Sequence, residues 1–141
     1  MTKQKTIDSF KDIMNAQDKD KAWTFFDLDF THFSEDEQVL MAMDLLKQNW
    51  HKLHENLASW FQQKKNPLAI ELLYKTAFRE DLDVFEYKPL ARKCVWALAD
   101  IGTIEAKEYL LKMSKSGDKI IESFAQKRLD NWDNELVRKL R

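Results

Sequence analysis

The chain is poor in the residues that build tight turns. Two glycines and two prolines in 141 residues exclude a β-rich fold, because hairpins and reverse turns use Gly and Pro for backbone angles that other residues resist. A single cysteine, Cys94, excludes an intramolecular disulfide and a cysteine-based zinc site. Charge of either sign is not in surplus: 23 basic residues face 24 acidic ones for a net −1. No whole-molecule field therefore draws the protein to nucleic acid or to an anionic membrane. No apolar run approaches the roughly 20 residues of a membrane-spanning helix, and the opening MTKQKTIDSF lacks the apolar core of a secretory leader. These absences predict a soluble, cytoplasmic protein.

What is present is core material. Hydrophobic residues make up 44%, with nine Phe and five Trp, enough to fill one domain over residues 1–141. The 33% charged fraction suits helix surfaces carrying both signs and argues against disorder. The few turn residues are well placed. Asn66-Pro67 sets an N-cap type before a Pro at the first helical position, and Pro89 also marks a helix start. Gly102-Thr103 and Gly117-Asp118 pair a helix-ending Gly with a capping side chain. The expected fold class is all-α, with six to eight helices.

Residues 1–49 differ in character from the rest. Ile7, Phe10 and Met14 have helical spacing and predict a helix over 7–17. A second helix is expected over 19–27, followed by an extended link, because a lone strand through Phe26, Leu28 and Phe30 has nothing to pair with. Ser34 and Glu37 have capping-box spacing, so a helix should begin at Glu35. Apolar residues then continue in one phase through Val39, Met43, Leu46, Trp50, Leu53, Leu57 and Phe61. A run that long is unusual in a compact domain, and a break is placed near Asn49.

The stretch from Leu90 to Leu129 reads helix, Gly-Thr turn, helix, Ser-Gly-Asp turn, helix. Ala97, Leu98, Ile101, Gly102, Ala106 and Leu110, then Asp118, Ile121, Ala125 and Leu129, carry its pattern. It resembles a HEAT repeat, the helix-pair unit of one class of α-solenoid, most clearly over 90–129 and more weakly over 50–79. Apolar triplets Leu53/Leu57/Phe61, Leu90/Cys94/Leu98 and Ile121/Ala125/Leu129 repeat along the chain. Asn66-Pro67 with Ala69, Leu72 and Leu73 stands where Thr103 with Ala106, Tyr109 and Leu110 stands in the next unit. The resemblance implies stacked antiparallel helical hairpins over 50–141, with the aromatic-rich residues 1–49 capping one end. The segment from Lys127 to Arg141 would close the other.

Four features are candidates for chemistry. His51, His54 and Glu55 can share a helix face and are the only visible seed of a metal site. Their HxxHE order is not the HExxH of zinc proteases, and histidines hydrogen-bonded between helices are the stronger reading. The connection from Phe78 to Leu90 carries Glu80, Asp81, Asp83 and Glu86 around Phe85 and Tyr87. Exposed aromatics ringed by charge are interface anchors; equally, Leu82, Phe85 and Tyr87 could tuck back onto the helices. Its acids lack EF-hand order and a central Gly, so calcium is not expected.

Arg92, Trp96 and Asp100 step by four along one helix and resemble the residue set of HEAT-like DNA glycosylases. A base-binding cleft needs several helices, however, and stacking of Arg92 on Trp96 with Asp100 bridging outward is the better reading. Lys127, Arg128, Arg138, Lys139 and Arg141 bias the C-terminal end positive, but Asp130, Asp133 and Glu135 interrupt them, as on a solvated helix. Cys94, Met41 and Met43 read as core or near-core side chains.

The function expected is a non-catalytic protein-binding module: an adaptor or scaffold, or an immunity-type protein that neutralises a toxin. The resemblance implies recognition through the second helices of each pair, 68–79 and 104–115. Glu71, Tyr74, Lys75, Glu108 and Lys112 would contribute, joined by Asp81, Asp83, Phe85 and Tyr87 of the connection. A protein partner is expected; a cofactor, a membrane or a nucleic acid is not. The alternatives are an enzyme or metal-handling protein using the His51/His54/Glu55 face, and a glycosylase-like nucleic-acid binder, whose affinity would fall steeply with salt.

Overall fold

A computed structural model describes residues 2–134. Seven α-helices and two short 3-10 helices lie wholly among them, and they contain no strand. None of these helices is long and apolar enough to cross a membrane. The chain divides into two compact units, Met1–His54 and Glu55–Arg141, where the sequence reading drew its internal boundary between 49 and 50. Residues Glu135, Arg138, Lys139 and Arg141, and with them the expected closing of the array by the last turns, lie outside the described residues.

In the first unit, α1 (Lys3–Ala16) begins four residues earlier than its apolar spacing indicated. The Thr2 hydroxyl accepts from the Lys5 N–H and caps the helix there. Its buried stripe is Thr6, Phe10 and Ile13, with Ile7 and Met14 on the flanks. Thr6 tolerates burial because its hydroxyl donates to the Asp29 carbonyl at 2.9 Å. The second expected helix is a 3-10 helix, Lys21–Asp27, leading into extended backbone at Leu28. Phe25 is fully buried at the centre of a ring cluster, with Phe10, Phe26 and Phe30 each within 6 Å of it. Helix α2 (Glu35–Leu46) starts where the capping box placed it. The Ser34 hydroxyl accepts from the Glu37 N–H at 3.1 Å, and the Glu37 carboxylate accepts from the Ser34 N–H at 3.0 Å. The long apolar run does break: α2 ends at Leu46 and α3 (His54–Lys64) begins at His54, with seven residues between them.

In the second unit, the Asn66 side chain caps a 3-10 turn, Pro67–Ala69, that runs into α4 (Ile70–Ala77). The α-helix is thus shorter at both ends than the expected 68–79. Pro89 opens α5 (Pro89–Ile101), Gly102 closes it at φ 71°, and Thr103 caps α6 (Ile104–Met113). Gly117 does not end α6, since Ser114 does; it sits at φ 91° in the turn before Asp118. The Asp118 carboxylate caps α7 (Lys119–Asp130) by accepting from the Ile120 and Ile121 N–H groups.

Helix α5 is the core of this unit. Leu90, Ala91, Cys94, Val95, Ala97, Leu98 and Ala99 are all buried, too wide a set for a one-sided amphipathic helix. The reason is that α5 is packed by α4, α6 and α7, and α4 also touches α6. Two polar bridges tie it to α3: Lys93 to Glu55 at 3.1 Å and Gln62 to Asp100 at 2.8 Å. The bridged residues are seven apart on α3 and seven apart on α5, and in the same order, so these two helices run parallel.

Candidate functional site

The 79–88 connection is built from its two ends inward. Helix α4 stops at Ala77, and the Arg79 guanidinium pairs with Asp81, two residues further on, at 2.6 Å. The Asp83 carboxylate then accepts from the backbone N–H groups of Leu90 and Ala91, at 3.3 and 2.9 Å. It supplies the N-terminal cap that Lys88, in the cap position, does not. Lys88 itself has left-handed backbone, φ 48°, and its ammonium reaches Asp118 at 2.5 Å. That bond, with Glu80 and Asp83 nearby, raises the Lys88 pKa against the cost of burial. The same bond and the two α7 amides hold the Asp118 carboxyl below the usual carboxylate range.

With its base held in this way, the middle of the connection faces solvent. Val84 is 76% exposed, Phe85 54% and Tyr87 62%. The Phe85 and Tyr87 rings stack at 5.5 Å with an interplanar angle of 24°. Leu82 alone tucks in, half-buried. Of the two readings left open by the sequence, the structure has the aromatics outward and only the leucine returned to the helices.

A second cluster lies on α4 and α6. Tyr74 and Tyr109 bring their rings to 4.8 Å, and Tyr74 meets Phe78 at 5.3 Å. Lys112 lies over Tyr109 at 4.9 Å, and Lys75 pairs with Glu71 at 3.0 Å. The three rings are half-buried, while Glu71, Lys75, Glu108 and Lys112 are exposed around them. Phe78 adjoins Arg79, so this aromatic row leads along α4 to the start of the connection. The structure thus gathers Tyr74, Lys75 and Lys112 in one cluster, and Asp81, Asp83, Phe85 and Tyr87 in another. Glu108 is exposed one residue from Tyr109. Sequence spacing alone gives no reason to place Tyr109, Phe78 or Val84 among the contacts; Tyr109 shows in it only as a repeat position.

The other candidates have structural occupations. His51 is buried; its Nδ1 accepts from the Leu53 N–H at 3.0 Å, so its Nε2 carries the proton donated to the Leu45 carbonyl at 2.7 Å. His54 stacks on it at 4.2 Å and meets the Gln48 carbonyl through Nε2 at 2.6 Å. Both rings therefore bind backbone carbonyls at and just beyond the end of α2, while Glu55 pairs with Lys93. Among the described residues, no three His, Cys, Asp or Glu side chains gather as a metal site would require. Arg92 stacks over Trp96 at 5.0 Å, and Asp100 bridges to Gln62. Cys94 is wholly buried, and burial pushes its thiol pKa far up, which suppresses the reactive thiolate.

No family model, no curated protein and no solved structure matches this chain.

Proposed function

We propose that the second unit is a HEAT-like helical array acting as a non-catalytic protein-binding module in the cytoplasm, as an adaptor or a toxin-neutralising protein. The observation that carries this reading is the outward Phe85–Tyr87 pair on a connection fastened at both ends. Folded chains bury stacked aromatics when they can. A pair held in water by a pinned backbone gains its stabilisation from a surface that arrives later. Pinning also reduces the ordering cost of association, because the backbone loses little further freedom on contact.

The array reading is supported by repetition in three dimensions. Leu53, Leu57 and Phe61 are buried, as are Leu90, Cys94 and Leu98. Asn66 and Thr103 each cap the start of the following helix. Ala69 and Leu73 are buried, as are Ala106 and Leu110, which follow 37 positions later. Parallel first helices α3 and α5, with second helices α4 and α6 in contact, are what stacked hairpins produce. The partner surface is then the α4/α6 cluster of Tyr74, Lys75, Glu108 and Lys112, together with Asp81, Phe85 and Tyr87 on the connection; Asp83, expected among the contacts, instead caps α5 and holds the backbone beneath the rings.

Site-specific photo-crosslinking in the source cells tests this. A benzophenone side chain is placed at Phe85, at Tyr74, or at the exposed Lys127 on α7 as a control. One discrete protein adduct from the first two positions, and none from Lys127, is the expected result. Adducts equally abundant at all three positions, or at none, would remove the reading.

A further inference from the structure

The connection offers a partner two things, apolar ring surface and negative charge, and it has no cation to spare. Arg79 is engaged by Asp81 and Lys88 by Asp118, while Asp83 is turned inward onto the α5 amides. Glu80 and Glu86 are exposed, and among the described residues neither makes an ion pair. Elsewhere this chain covers its own rings with cations. Lys3 lies over Phe33, Lys64 over Trp60, Arg92 over Trp96, Lys107 over Trp132 and Lys112 over Tyr109, all between 4.9 and 5.5 Å. Phe85 and Tyr87, the most exposed ring pair among the described residues, have no such cover.

We infer that this site receives a basic segment of a protein partner, with a Lys or Arg side chain laid over the Phe85–Tyr87 rings and its charge answered by Glu80 and Glu86. The inference rests on the binding reading above and names the chemistry of the occupant. An acidic segment or a phosphate-rich surface would meet two carboxylates that no ion pair neutralises, while both cations of the connection are already paired within the chain. A purely apolar segment would bury those carboxylates without partners, which is costly. A guanidinium or ammonium on an aliphatic stem satisfies both: the stem lies against Val84 and the rings, and the charge meets both the π face and the acids.

The probe is a random-peptide phage library selected on the immobilised full chain and counter-selected on the Phe85→Ala/Tyr87→Ala variant. Recovered peptides are synthesised and titrated by fluorescence anisotropy. Enrichment of Lys and Arg beside aliphatic residues is the expected result, with affinity falling as salt rises. Glu80→Lys/Glu86→Lys should weaken these peptides roughly tenfold while leaving the thermal melt in place. Peptides that depend on Phe85 and Tyr87 but are neutral or acidic would overturn the inference and leave the connection as the contact site. Recovery of no peptide that depends on those rings overturns the inference; the crosslinking at Phe85 then reports separately whether the binding reading stands. Concentration-dependent self-association lost in Phe85→Ala/Tyr87→Ala would also overturn it, since the occupant would be a second copy of this chain.

Discussion

Lys88 and Asp118 meet at 2.5 Å, so one ion pair fastens the end of the 79–88 connection to the cap of α7. The two side chains are about three-quarters buried, where a pair holds its strength better than on an open surface. The consequence is geometric as much as energetic: the same bond sets the backbone from which Phe85 and Tyr87 project.

This pair predicts a pH window. The Asp118 pKa is lowered in the folded state, so its contribution is present above the ordinary value of 3.8 and is lost as pH falls through that value towards the folded one. The Lys88 pKa is raised, so its contribution is present below 10.5 and is lost as pH rises from there through the folded value. Asp118→Ala removes the pair and the cap together and should cost about 2 kcal/mol at neutral pH. Lys88→Met removes only the pair and should cost about 1 kcal/mol or less. Urea denaturation of both variants from acid to alkaline pH checks the order.

Gly102 makes a second prediction. At φ 71° any L side chain is strained, although an added Cβ would meet only the Ala99 and Asp100 carbonyl oxygens at 3.6 and 3.7 Å. Gly102→Ala should therefore destabilise by about 1 kcal/mol through the backbone alone. Gly102→Asn should cost less, because Asn tolerates this region better than Ala. Differential scanning calorimetry of the two variants resolves the difference.

Three helix starts were legible in the sequence from their capping side chains. Ser34, Thr103 and Asp118 each start a helix at the expected place, because cap chemistry is local and needs no knowledge of the fold. The face of α1 was misjudged for the opposite reason. Burial of Thr6 depends on the Asp29 carbonyl, a partner 23 residues away, and apolar spacing favoured Ile7 instead. The stretch from Lys21 to Asp27 looked α-helical because a short 3-10 helix has nearly the same spacing. The exposure of Phe85 and Tyr87 was not legible either. It depends on Asp83 folding back to cap α5 and on Lys88 reaching across to α7, contacts that no local pattern encodes.

The His51/His54 pair gives a third prediction. Each His51 ring nitrogen has a backbone partner, so His51→Ala strands the Leu45 carbonyl and the Leu53 N–H together in a buried setting. A loss of at least about 2 kcal/mol follows. Zinc added to the wild-type protein should leave the melting temperature unchanged, because no ring nitrogen of His51 remains to bind it. A stoichiometric, zinc-dependent rise in melting temperature that disappears in His51→Ala would return the metal-handling alternative to consideration.

On the proposed reading, Phe85 and Tyr87 serve association and not the fold. The most direct test is a paired measurement on Phe85→Ala/Tyr87→Ala: unfolding free energy in urea, and co-purification of the wild-type crosslinked partner. Stability within about 0.5 kcal/mol of wild type, together with loss of the partner, is the predicted result. A drop of several kcal/mol, or undiminished co-purification by a stably folded variant, would contradict the account.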